Sequence, residues 1–67
     1  MNDVRAYGRM ELAARYFPAA TPAHAWRMMR IWIDRMPGLG ERLGQMKGRI
    51  FTPRQVRLLF EAFGEPE

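Results

Sequence analysis

Few residues in this chain could do chemistry. His24 is the single histidine, and histidine is the side chain whose ordinary pKa lies closest to neutrality. A general base needs a group that orients it, and a metal site needs several ligands. No Asp, Glu or Cys stands at ligand spacing from His24, so it reads as a surface histidine and no metal site is expected. Serine and cysteine are both absent, which removes a serine nucleophile, a thiolate and any disulfide framework. Tyr7 and Tyr16 are expected to pack rather than react, and the carboxylates are scattered. Gly38-Leu39-Gly40 is not a phosphate cradle, because such a loop follows a strand and carries further Gly or Lys positions that are missing here. These residues predict no enzyme, no cofactor and no small-molecule substrate.

The arginines are the stronger signal. Ten Arg and one Lys stand against seven carboxylates, for a formal net charge of +4. Spacing of i,i+4 predicts the pairs Glu11–Arg15, Arg30–Asp34 and Arg57–Glu61. Arg5, Arg9, Arg27, Arg35, Arg42, Lys47, Arg49 and Arg54 then lack a local partner. Guanidinium is planar and forked, which suits bidentate contact with phosphate or guanine. A helix, a turn at 18–20 and a second helix read as a helix-turn-helix. In such a unit the second helix offers its N-terminal residues to base edges. The candidate nucleic-acid contacts are therefore His24, Arg27, Arg30, Arg49 and Arg54, with double-stranded DNA as the expected partner. Arg27 and Arg54 would meet phosphates, and His24 and Arg27 would approach bases. An ordinary corner between two helices has the same pattern, and Asp34 would repel phosphate near the helix end. A competing surface is also legible. Ile31 and Leu58 fall on the polar sides of their helices, which would suit a protein-interaction module or a homodimer without a nucleic-acid role.

The elements that must position these residues are mostly helices. Ala, Leu and Met supply 19 residues and the β-branched Val and Ile only five, a balance that favours helix over strand. The first helix is expected over 9–17, with Leu12, Ala13 and Tyr16 on one face and Pro18 ending it. Thr21 caps the second helix and Pro22 takes its first position. Its apolar face holds Ala25, Trp26, Met28, Met29, Trp32, Ile33 and Met36, wide enough to meet two neighbours, and Pro37-Gly38 stops it. A short third helix is expected over 39–46, weakened by Gly40 and Gly44. The last helix opens with a capping box, Thr52 to Gln55, and a staple of Phe51 on Val56. Val56, Leu59, Phe60 and Phe63 form its buried stripe, and Gly64 supplies a left-handed end. Residues 3–7 and 49–51 are the most strand-like and predict a short two-stranded ribbon. Leu12, Met29, Trp32 and Phe60 are expected to be buried together. The fold class is thus mainly α, three to four helices in one domain over 1–67. No apolar run is long enough to span a bilayer, and the first twenty residues carry charge throughout, which predicts a cytoplasmic protein without a secretory signal.

The segments YGRMELAARYFP, TPAHAWRMMRIWID and FTPRQVRLLFEAFGEP resemble the short Bacteroidetes proteins grouped as "domain of unknown function 4248". The resemblance rests on Glu11-Leu12-Ala13 with Tyr16 and Pro18, on Trp32-Ile33, on Thr52 to Val56 and on Phe63 to Pro66. It covers nearly the whole chain, and the segment from Thr52 to Pro66 is its most specific part. The sequence GQMKGRI at 44–50 departs from the family's pattern, which often has a Gly-Tyr pair and more basic residues there, so a basic wing is not implied. The resemblance implies a small, mostly helical, helix-turn-helix-like fold without enzyme activity, and it supplies no ligand.

Overall fold

A computed structural model describes residues 3–46 and 48–66. The elements run in the order β1 (Tyr7–Gly8), α1 (Arg9–Tyr16), α2 (Pro22–Arg35), α3 (Leu39–Leu43), β2 (Ile50–Phe51) and α4 (Pro53–Phe63). The fold is mainly helical, with a short antiparallel ribbon pairing Tyr7 with Phe51 and Gly8 with Ile50. Each strand leads directly into a helix, so the ribbon sets the starting points of α1 and α4.

Local chemistry places the boundaries. Glu11 reaches back from the first turn of α1, and its Oε1 accepts the Gly8 N–H at 3.1 Å. Thr21 Oγ1 accepts the His24 N–H at 3.3 Å, with Pro22 behind it at the first helical position. At α4 the box is reciprocal: Thr52 Oγ1 accepts the Gln55 N–H at 3.3 Å, and Gln55 Oε1 accepts the Thr52 N–H at 2.9 Å. Gly38, at φ +79° and ψ −9°, makes the left-handed turn that launches α3, a conformation that costs glycine little. The third helix stops at Leu43, not Met46, because Gly44 at φ +72° and ψ −164° takes the chain out of helix. Gly64 likewise ends α4 at positive φ, but its ψ of 168° is extended rather than left-handed helical.

The ribbon is displaced from the expected 3–7. Tyr7 is buried, and its hydroxyl donates to the Asp3 carbonyl at 2.9 Å. Residues 3–6 therefore run alongside that ring instead of pairing with 49–51.

The core joins all four helices to the ribbon. Leu12, Met29, Phe51, Val56 and Leu59 are its largest fully enclosed side chains. Ala13 on α1 and Ala25 on α2 are also fully buried, and these two helices share the most extensive contact in the molecule. Trp32 does not join Leu12, Met29 and Phe60 inside, because it is 40% exposed. At about 100° per residue the buried line of α2 passes through Ala25 and Met29, and Trp32 falls on its flank. There it packs on Phe17 at 4.6 Å, Phe63 at 5.4 Å and Tyr16 at 6.4 Å between ring centroids. The tail closes over this aromatic cluster: Tyr16 donates its hydroxyl to the Gly64 carbonyl at 2.6 Å, and Pro66 is buried.

Candidate nucleic-acid interface

The exposed face of α2 carries three of the five candidate contacts. Arg27 lies nearly opposite the buried line of Ala25 and Met29, with His24 and Arg30 roughly 60° to either side at about 100° per residue. All three are exposed. The two flanks are different surfaces. His24 borders a shallow cleft over the α1–α2 turn with Phe17, Pro18, Ala20 and Met28. Arg30 lines a smaller groove between α2, α3 and β2 with Trp26, Leu43, Met46 and Phe51. Arg27 is the crest between them.

Arg49 and Arg54 lie elsewhere. Arg49 precedes β2, and its carbonyl accepts the Arg9 N–H at 2.9 Å, which places it beside the start of α1. Arg54 projects from the first turn of α4, and its Nη2 donates to the Arg42 carbonyl at 3.2 Å. That carbonyl is in the last turn of α3, where helix carbonyls have no partner within the helix. Arg54 thus ties α3 to α4 while remaining exposed. Lys47 lies outside the described residues.

The ion pairs differ from the expected set. Glu11 pairs with Arg5, Oε2 to Nη2 at 3.1 Å. The reason is the same backward reach that caps α1, since a carboxylate turned toward Gly8 meets Arg5. Hydrogen bonds from Arg5 and from the Gly8 backbone hold the Glu11 carboxyl below its usual pKa, with a weaker coulombic pull from Arg15. Arg5 is therefore not a free cation. Arg30 and Asp34, and likewise Arg57 and Glu61, do not approach within ion-pair distance. Three cations on the outer side of α2, Arg27, Arg30 and Arg35, are exposed without an ion-pair partner among the described residues.

Of the two residues expected to mark a partner surface, only Ile31 is exposed, at 46%. Leu58 is half-buried and packs against the core. The cause is Gln55. Its amide is buried at 3% exposure, with Nε2 donating to the Leu43 carbonyl at 3.0 Å and the Gln45 carbonyl at 3.4 Å. Burying Gln55 turns that flank of α4 inward, and Leu58 and Ala62 follow.

Two features of the site were not anticipated. One is the Trp26 groove, whose signal was the unusual width of the apolar face of α2. The other is Arg9, whose guanidinium lies 5.5 Å from the centroid of the Trp26 ring. Among the described residues no helix is long and apolar enough to cross a membrane, and no three His, Cys, Asp or Glu side chains group as a metal site.

The chain belongs to the family described as Domain of unknown function (DUF4248), whose model matches residues 3–66. No curated protein and no solved structure matches it. The residues that carry the family resemblance have structural work in this fold. Glu11 and Thr52 cap helices, Tyr16 holds Gly64, Gln55 joins α4 to α3, and Pro66 is buried.

Proposed function

We propose that this small basic chain is a DNA-associated accessory protein of the cytoplasm, with a binding rather than a catalytic role, that meets duplex DNA with the outer face of α2. The observation that carries the reading is the unpaired guanidinium face: Arg27, Arg30 and Arg35 are exposed, and His24 sits beside them in the first turn of the helix. The corner from α1 into α2 is the arrangement in which a helix is offered to a groove. Arg27 and Arg30 engage phosphates, while His24 and Arg27 reach base edges. Arg49 and Arg54 stand apart from this face and add charge attraction rather than specific contacts. The affinity is mostly electrostatic, so each phosphate contact contributes about 0.9 to the slope of log affinity against log salt.

Titrating fluorescent duplex DNA at several salt concentrations tests the reading. Arg27→Ala and Arg30→Ala should weaken binding to every sequence and lower the slope by about one each. His24→Ala should alter preference among sequences more than overall affinity. Wild type binding no tighter than ~100 μM at physiological salt would sink the proposal, since that is the weak end of ordinary non-specific association.

Ile31 favours a second reading. It stands 46% exposed in the middle of the same face, where it would suit a protein partner or a second copy of the chain. If sedimentation shows self-association that Ile31→Asp abolishes while DNA does not bind, the face belongs to a protein interface.

A further inference from the structure

The groove on the Arg30 side of α2 is built differently from the helix face beside it. Its walls and floor are Trp26, Leu43, Met46 and Phe51, and its rim carries Arg30 and Asp34. Leu43 and Phe51 are core residues, so the floor is part of the rigid interior. The open volume is about 190 Å³. An apolar cavity of roughly 150 Å³ takes a benzene-sized group, so this one admits a single Leu- or Phe-sized side chain.

Charge around the opening is lopsided. Arg30 is on the rim, and the Arg9 guanidinium lies 5.5 Å from the centroid of the Trp26 ring. Arg9 Nε is buried without a hydrogen-bond partner among the described residues. Among the described residues Asp34 is the one carboxylate in the lining, and Arg30 does not pair with it. The opening therefore favours an anionic visitor at the Trp26 and Arg30 end and disfavours one beside Asp34.

We propose that this groove is a docking site for an acidic peptide segment of a protein partner, which inserts one Leu- or Phe-sized side chain between Trp26, Leu43 and Phe51 and sets a carboxylate beside Arg30. An apolar pocket ringed by polar groups is how protein interfaces seat their anchor residues. Nucleic acid suits it less well. A nucleobase needs an open aromatic face on which to stack. Trp26 already has Arg9 over its ring and Phe51 edge-on at 5.7 Å. The inference does not rest on the DNA reading, although both use Arg30: that reading lays DNA on the crest of α2, and this one fills the apolar groove on its flank.

The test is a titration of the ¹⁵N-labelled full chain, followed by NMR, with a synthetic peptide of Glu and Ala carrying one central Leu. Matched peptides carry Ser for that Leu, or Lys for Glu, and a short duplex DNA is run in parallel. The acidic peptide should saturably shift the Trp26 indole and the Gly40 and Gly44 amides, with Kd tighter than ~1 mM, a level typical of weak single-anchor binding. Loss of the central Leu should weaken it about tenfold, the cost expected of removing an interface anchor. Arg30→Glu should weaken the acidic peptide and improve the Lys peptide. Gly40→Leu provides a steric block. Gly40 lines the groove, and a Cβ there meets nothing within 4 Å. Leucine is also the better helix former, so this variant should melt no lower than wild type while losing the peptide about tenfold, as truncating an anchor does. Absence of saturable shifts, equal binding of the Ser peptide, unchanged binding by Gly40→Leu, or duplex DNA whose binding Gly40→Leu also blocks would each overturn the proposal. The two readings fail separately: silence from DNA refutes the helix-face reading alone, and silence from the peptide refutes this one alone.

Discussion

Gln55→Ala is the substitution whose cost can be worked most directly from the structure. The side chain is 3% exposed and uses both ends of its amide. Oε1 takes the Thr52 N–H at 2.9 Å, while Nε2 gives to the carbonyls of Leu43 at 3.0 Å and Gln45 at 3.4 Å. Truncation frees all three backbone groups, but they do not cost the same. Leu43 is buried, so its carbonyl bears the full penalty of an unmet polar group, about 1–3 kcal/mol. Thr52 is half-buried and Gln45 exposed, so water recovers part of what they lose. Half a capping box adds about 0.5–1 kcal/mol. The sum is about 2–4 kcal/mol in a domain whose whole stability, at this length, is about 3–10 kcal/mol. Each kcal/mol moves the midpoint by about 4–8 °C at this size, so thermal melting followed by circular dichroism should show a fall of ~10 °C or more. A Gln55→Ala midpoint within ~3 °C of wild type would refute the account of this amide.

Gln55→Glu separates hydrogen bonding from packing, because the shape is kept. The carboxylate still accepts from Thr52 but confronts the Leu43 carbonyl that Nε2 had satisfied. Protonation restores a donor toward that carbonyl, so folding raises the pKa of the new side chain. A raised folded pKa favours the fold at low pH, and the benefit is lost as pH rises through it. The gap in melting temperature between Gln55→Glu and wild type should therefore be narrower in acid than at neutral pH.

Trp32→Ala should cost about 1–3 kcal/mol and Met29→Ala about 2–5 kcal/mol, with Met29 the greater loss, because truncation costs most where the site is enclosed. Paired thermal melts check the order, and the reverse would return Trp32 to the interior. The Tyr16 hydroxyl is pushed up to about 12 from an ordinary 10.0, first by burial and then by the negative charge of Glu65. With the folded value above the unfolded one, its contribution to stability is complete below pH 10 and is lost as pH rises toward 12. Alkaline unfolding monitored at 295 nm should show that loss in wild type, and Tyr16→Phe should remove it.

Local rules were legible in the sequence wherever one or two neighbouring residues decide the outcome. Thr21-Pro22 and Thr52-Pro53 each open a helix in the structure because the cap, the proline and the first turn lie within four residues of one another. Pro37-Gly38 closes α2 for the same kind of reason. What the sequence hid depends on how elements meet. Trp32 has helical spacing with Met29, but spacing does not say which line of a wide face is the centre. Leu58 reads as outward until Gln55 is known to be buried, and burial of a glutamine is visible only once the carbonyls of residues 43 and 45 are seen within its reach. Spacing matches Glu11 to Arg15, yet its capping role aims it the other way, at Arg5.

The distinction carries into function. Tyr16, Thr52, Gln55 and Pro66 belong to the segments that mark the family, and each is committed to holding elements together. A side chain whose polar atoms are already bonded inside the fold has little left to offer a ligand. The groups left over are those the family segments do not tie down by hydrogen bonds: His24, Arg27, Arg30 and Ile31 on the outer face of α2, and the apolar floor beside Trp26. Substitutions in the first set should therefore lower the melting temperature and change binding only through unfolding. Substitutions at His24, Arg27, Arg30 and Ile31 should leave the melt nearly unmoved, since exposed positions away from special features usually shift stability by no more than about 0.5 kcal/mol. A ligand that responds to Arg27→Ala or Arg30→Ala at constant melting temperature is then bound by α2 itself, which is the result that separates a recognition surface from a merely basic one.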